Sequence, residues 1–280
     1  MTQISAAEVQ KLRKMTGAGM MDCKKALEEA NGDYEKAIEI IRKKGQLVAA
    51  KRADREANEG VVLARIDASN TFGAMICLNC ETDFVAKNQD FISLAEKILA
   101  LAIEKKPADL NALKNLPLEG KTVADLVTEK IGIIGEKMEL SYYDNVQAPY
   151  VLAYVHPGNK LAAVVGFNKA GSDLQIYKDI AMQVAAMNPV SIDKDDVPAD
   201  KLAKEREIAI DQTKLDPKNA GKPANIIEKI AEGKLEKFLK ENTLLNQEFI
   251  KDSKLTVRQY LEKSDKDLKV TRFIRFTLVQ

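Results

Sequence analysis

Two stretches of this chain, about 90 residues apart, run through the same order of elements: an apolar strand, a tight polar turn, a second apolar strand and an amphipathic helix. The first passes through Val61-Val62-Leu63-Ala64-Arg65-Ile66, a turn at Ala68-Ser69-Asn70, a strand over 72–78 and a helix over 82–104. The second has a strand over 150–155, a turn at Pro157-Gly158-Asn159-Lys160, a strand over 161–167 and a helix over 173–187. Strands joined by so short a turn must run antiparallel, and the helix that follows buries its apolar stripe on one face of them. The expected class is therefore α+β, with a two-subdomain core of antiparallel sheets and helices on one face. Thr271-Arg272-Phe273-Ile274-Arg275-Phe276-Thr277-Leu278-Val279 alternates apolar with polar or charged residues and is expected to complete one of the sheets as a half-buried strand.

Ahead of the core the period is helical. Ser5-Ala6-Ala7-Glu8 reads as a capping box, after which Val9, Leu12 and Met15 recur at helical spacing until Gly17. A second helix is expected over 20–30, stopped by Asn31-Gly32. Asp33 caps a third, which carries Ala37, Ile38 and Ile41 on one stripe and is expected to end at Gly45. The charged stretch 46–58 reads as a helical connector. Three helices of this length bury a marginal core, so the module is expected to lean on a partner. The expected divisions are 1–58 for the helical module with its connector, 59–145 for the first core subdomain and 146–280 for the second. Within the latter, Pro189, Pro198, Pro217 and Pro223 mark a helical excursion over about 190–222, with a charged helix over 199–212, before helical periodicity resumes over 224–240.

Composition removes several function classes. Lys+Arg number 43 against 42 Asp+Glu, a net charge of +1, so no global field holds a polyanion. Aromatics are 5% with no Trp, too few for a stacking platform, so no direct nucleic-acid partner is expected; the mixed charges of 42–55 are only a weak candidate for RNA. No run approaches the ~20 apolar residues of a bilayer span and none follows a basic start, so neither membrane nor leader is expected. Three cysteines make no disulfide framework, and a cytoplasmic location is expected. Cys77-Leu78-Asn79-Cys80 is a C-x-x-C that, with Cys23 and His156, supplies enough ligands for a zinc or a redox dithiol. An offset of three along a strand points the two thiols to opposite faces, so they read as buried structural cysteines. Gly17-Ala18-Gly19 has Asp22 where a phosphate loop needs its third glycine. Glu28-Glu29 and Asp195-Asp196 lie in charge-rich text and read as solvated faces. No catalytic constellation, cofactor or resident metal is expected.

Two segments resist a purely structural account. In Thr16-Gly17-Ala18-Gly19-Met20-Met21-Asp22-Cys23-Lys24-Lys25-Ala26-Leu27, adjacent Met20 and Met21 open a helix and cannot both face one core, so at least one is expected to offer a deformable contact surface. In Asn79-Cys80-Glu81-Thr82-Asp83-Phe84-Val85-Ala86-Lys87, a strand hands over to a helix capped by Thr82 or Asp83. Phe84 then projects from the first turn, either as an interface anchor or, the better reading of the residue taken alone, as a staple folded back on the core.

Together with Leu12-Arg13, these two segments resemble the two signatures of the translation elongation factor Ts family. The likeness continues through Ile180-Ala181-Met182-Gln183-Val184-Ala185-Ala186-Met187, Gly221-Lys222-Pro223 and Phe273-Ile274-Arg275-Phe276. The resemblance implies a ubiquitin-associated-like helical module, a two-part α+β core and a helical hairpin. It implies no enzyme but a guanine-nucleotide exchange factor that binds elongation factor Tu, both GDP-bound and nucleotide-free. Docking would fall to Arg13, Met20, Met21 and His156, and disturbance of the partner's magnesium site to Thr82, Asp83, Phe84 and Val85. Homodimer and heterotetramer both stay open. Three departures stand out: Cys77 replaces a Glu usual in the family, the proline-broken excursion over 200–222 differs in length, and the sequence stops at Gln280 where many members add a helix that grips the partner. That last contact is expected to be absent.

Overall fold

The computed structural model describes residues 4–171 and 173–278. The chain opens with α1 (Ala6–Thr16), α2 (Met20–Glu29) and α3 (Tyr34–Lys51), which enclose the fully buried Leu12, Cys23, Leu27 and Ala37. The capping box forms: Ser5 N–H donates to Glu8 Oε2 at 2.7 Å and Glu8 N–H donates to Ser5 Oγ at 3.3 Å. Gly17 ends α1 at φ 72°, in the left-handed region that an L side chain resists.

The first core unit runs β1 (Glu59–Ile66), β2 (Phe72–Cys80), α4 (Asp83–Ala86), α5 (Gln89–Lys105), α6 (Leu110–Asn115), a small ribbon of β3 (Pro117–Leu118) and β4 (Lys121–Thr122), α7 (Val123–Ile134) and β5 (Met138–Gln147). The second runs β6 (Tyr150–Val155), β7 (Leu161–Phe167), α8 (Leu174–Met187), α9 (Ala199–Leu215), α10 (Ala224–Asn242), a ribbon of β8 (Glu248–Phe249) and β9 (Asp252–Thr256), α11 (Val257–Ser264) and β10 (Val270–Thr277). Two antiparallel three-stranded sheets result, ordered β1-β2-β5 and β10-β7-β6. The C-terminal strand thus completes the second sheet beside β7; Val279 lies outside the described residues.

The period of two along β2 builds the layers. Ile76, Leu78 and Cys80 point to the side covered by α5 and α7, whereas Met75 and Cys77 meet Val151, Ala162, Val164 and Ile274 from the other sheet. Helices α8 and α11 cover the far face of the second sheet. The fold is α+β in four layers: helices, sheet, sheet, helices. Each sheet carries helices on one face because the other face is occupied by its counterpart.

Three expectations need correction. Gly45 does not stop α3, which runs on to Lys51, so only 52–58 of the charged connector lies outside a helix. The glycine is there for packing: Gly45 is buried where α3 crosses α7, and a Cβ built on Gly132 would lie 2.3 Å from Gly45 Cα. The helix expected over 82–104 is two helices, broken at Lys87-Asn88, where Asn88 Oδ1 accepts Asp90 N–H at 2.8 Å and caps α5. Finally, α9 packs not only on the turn at 217–219 but chiefly on α10, beyond the range assigned to the excursion, where Ala209, Ile227, Ala231 and Leu235 are buried and Arg206 pairs with Glu232 at 2.7 Å. Among the described residues no helix is long and apolar enough to cross a membrane.

Candidate functional site

The site is built where β2 ends. Thr82 leaves the strand with extended backbone and caps α4, its Oγ1 accepting Val85 N–H at 3.4 Å. The same residue is gripped by Glu136, whose two carboxylate oxygens accept Thr82 Oγ1–H at 2.7 Å and Thr82 N–H at 3.1 Å. Its carbonyl accepts the Cys80 thiol at 3.1 Å. One residue earlier, the Glu81 carboxylate takes Lys137 N–H at 2.5 Å and Arg52 Nη1 at 2.7 and 3.0 Å. The Lys137 amide holds the Glu81 carboxyl below the usual range, against the opposing effect of burial, and Arg52 adds to it.

From this base Phe84 projects with 82% of its surface exposed, which removes the staple reading. Covering a Phe ring is worth about 1.5–3 kcal/mol, a gain this chain leaves to be made elsewhere. Asp83 pairs with Lys87 Nζ at 2.6 Å, and that hydrogen bond lowers its carboxyl further below the usual carboxylate range. Val85 is half-buried and packs on the core.

His156 occupies the exposed β6–β7 turn, with Nδ1 2.9 Å from Tyr154 Oη. The turn is fastened to β1 by Val62 N–H donating to Asn159 O at 2.7 Å and by a Lys160–Glu59 ion pair. Glu59 is the cross-strand partner of Cys80, so His156 and α4 stand at the same end of the paired sheets. Met20 and Met21 are 44% and 63% exposed and, with Met15 at 56%, surround the turn between α1 and α2; Arg13 is exposed on the last turn of α1. Gly17 of that turn lines one cleft together with Val85, Asn88, Phe91 and Ile133, so the methionine-bearing turn adjoins the α4–α5 junction.

A family model described as elongation factor TS matches residues 81–280. An elongation factor Ts of Porphyromonas gingivalis is 53% identical over 276 residues, covering 98% of this chain and 98% of that protein. The counterpart in Azobacteroides pseudotrichonymphae is 48% identical over 275 residues, again 98% of both chains, and that of Christiangramia forsetii is 48% identical over 282 residues, 99% of this chain and all of its own. The chain belongs to the elongation factor Ts family. This is a family of translation elongation factors.

Sequence reasoning missed Glu136, Glu81 and Arg52. Glu136 follows Gly135, which ends α7 at φ 80°, and precedes β5, whose Met138 and Leu140 alternate with exposed residues. Both signals are legible, but nothing local says that Glu136 faces a threonine 54 positions earlier.

The C-x-x-C thiols are separated as the strand period requires. Cys77 is buried between the sheets and Cys80 under the helices, leaving no common side for a disulfide or a metal. The Cys77 thiol donates to Asn79 Oδ1 at 3.2 Å, which also accepts Ser141 Oγ–H at 2.5 Å. Burial pushes the Cys77 thiol up to about 11 and that of Cys80 to about 12, the latter helped by the Glu136 charge. At pH 8 a thiol reagent should therefore modify both at least about a hundredfold more slowly in native than in denatured protein. Fast native labelling, or a Cys77–Cys80 disulfide under mild oxidant, would contradict this placement.

Proposed function

We propose that the chain is a cytoplasmic guanine-nucleotide exchange factor for elongation factor Tu, binding the GDP form and holding the nucleotide-free form. The observation that carries the reading is Phe84, a large apolar ring held in water on a braced one-turn helix beside an anionic Asp83. Such a ring is an anchor awaiting a pocket. The helical module, 1–58, supplies affinity through Arg13, Met20 and Met21, and His156 adds a contact at the same end of the core, whose subdomains are 59–145 and 146–280.

Release follows from linkage. Magnesium in the partner neutralises phosphate charge, so inserting Phe84 where it disturbs the groups around that ion loosens GDP, with Asp83 redirecting partner donors and Thr82 and Val85 fixing the turn. By reciprocity, nucleotide must weaken the factor as much as the factor weakens nucleotide. GTP then enters by mass action and expels the factor. No bond is made or broken by this chain. The test is release of fluorescent GDP from purified elongation factor Tu, expected to accelerate at least about a hundredfold, or by ~2.7 kcal/mol of barrier, at saturating factor. Unchanged release would overturn the reading.

A further inference from the structure

An isolated helical turn does not support itself, because fixing its backbone costs more than its few hydrogen bonds return. Helix α4 has four residues, so whatever fixes Phe84 must come from outside it. Thr82 donates both its N–H and its Oγ1–H to the Glu136 carboxylate, while its Oγ1 accepts from Val85 N–H. Glu136 stands directly behind the end of α7, the helix that crosses α3 at Gly45 and Gly132. Glu81 joins Arg52, at the end of α3, to the Lys137 amide, and Lys137 Nζ donates back to Ala53 O at 2.9 Å. The end of the helical module, the α7–β5 junction and the base of α4 thus close into one ring.

We propose that Glu81 and Glu136 are positioning residues that hold Phe84 at a set place relative to the docking face of α1 and α2. Neither touches the partner in this scheme; both act through the Thr82 turn. The inference rests on the exchange-factor reading above. A contact that must be made at two points, by Phe84 and by the methionines, is only as effective as the geometry between them. Loosening the turn spares docking and removes displacement.

The decisive variant is Glu136→Gln, which nearly preserves volume but leaves one carbonyl acceptor for two donors. Loss of a charged acceptor should lower GDP release at saturating factor about tenfold while the partner's Kd stays within about threefold. Glu81→Gln should act in the same direction. In a Phe84→Ala background, Glu136→Gln should have no further effect on the saturated rate, an epistasis that general destabilisation does not produce. Amide hydrogen exchange over 82–88 in the free chain reads the clamp without any partner and should quicken about tenfold in Glu136→Gln. Wild-type release by Glu136→Gln, or a full additional loss on top of Phe84→Ala, overturns the proposal. Faster amide exchange beside a wild-type chain that is itself inactive on the partner would instead sink the exchange-factor reading and leave Glu136 a purely structural clamp, which also overturns the positioning role.

Discussion

Phe84→Ala is expected to abolish most of the acceleration of GDP release, by about a hundredfold at saturating factor, while leaving thermal unfolding almost unchanged. The two halves of this expectation have separate causes. A buried Phe reduced to Ala costs about 3–5 kcal/mol of stability, but that figure applies to a ring in a core, and 82% of Phe84 is in water. Surface substitutions of this kind stay within about 0.5 kcal/mol. In the proposed role the ring is the part that displaces, and Met20, Met21 and Arg13 would remain to dock, so affinity should fall moderately and rate severely. The measurement is stopped-flow GDP release against factor concentration, beside a melting curve and repeated with excess magnesium. A variant that melts normally, binds and still releases GDP at the parental rate removes Phe84 from its assigned role. Asp83→Ala is a cleaner companion than the sequence implied: Thr82, not Asp83, makes the side-chain cap, so the variant loses an exposed pair with Lys87 and little structure.

Gly132→Ala should be strongly destabilising although the residue lies away from the proposed contact surface. Alanine is the better helix former by about 1 kcal/mol, so propensity alone predicts stabilisation. Packing reverses the sign, because the new Cβ would lie 2.3 Å from Gly45 Cα, and backbone cannot swing aside as a side-chain tip can. Overpacking of this kind costs about 1–3 kcal/mol or more, and prising α3 from α7 also strains the Arg52–Glu81 link to the site. We expect a lower melting temperature, faster proteolysis at 52–58, and loss of both affinity and rate in exchange. Gly45→Ala is milder, since its Cβ meets Gly132 Cα at 3.5 Å, an ordinary contact. Gly233→Ala, exposed in α10 with nothing within 4 Å of the added carbon, should stabilise by about 0.5–1 kcal/mol and serves as the control of opposite sign. Equal effects of Gly132→Ala and Gly233→Ala would refute the crossing as the cause.

What could be read from sequence was local. The Ser5–Glu8 box, the hairpins at 60–80 and 150–167 and the opposite facing of Cys77 and Cys80 follow from hydrogen-bonding groups and side-chain periods within a few residues, and these survive any tertiary context that permits the element at all. The motif that carries the family, 79–87, is equally a property of the chain. Tertiary structure decided the rest. Gly45 reads as a stop because glycine is a poor helix former, yet it is retained inside α3 where two backbones meet. Phe84 taken alone reads better as a core staple than as an anchor, and only the placement of α4 at the edge of the core put it in water. The grip of Glu136 on Thr82 and of Glu81 on Arg52 joins groups 54 and 29 positions apart. No local propensity encodes such pairs, because their energy exists only after the sheets and helices have packed and brought the carboxylates to their donors.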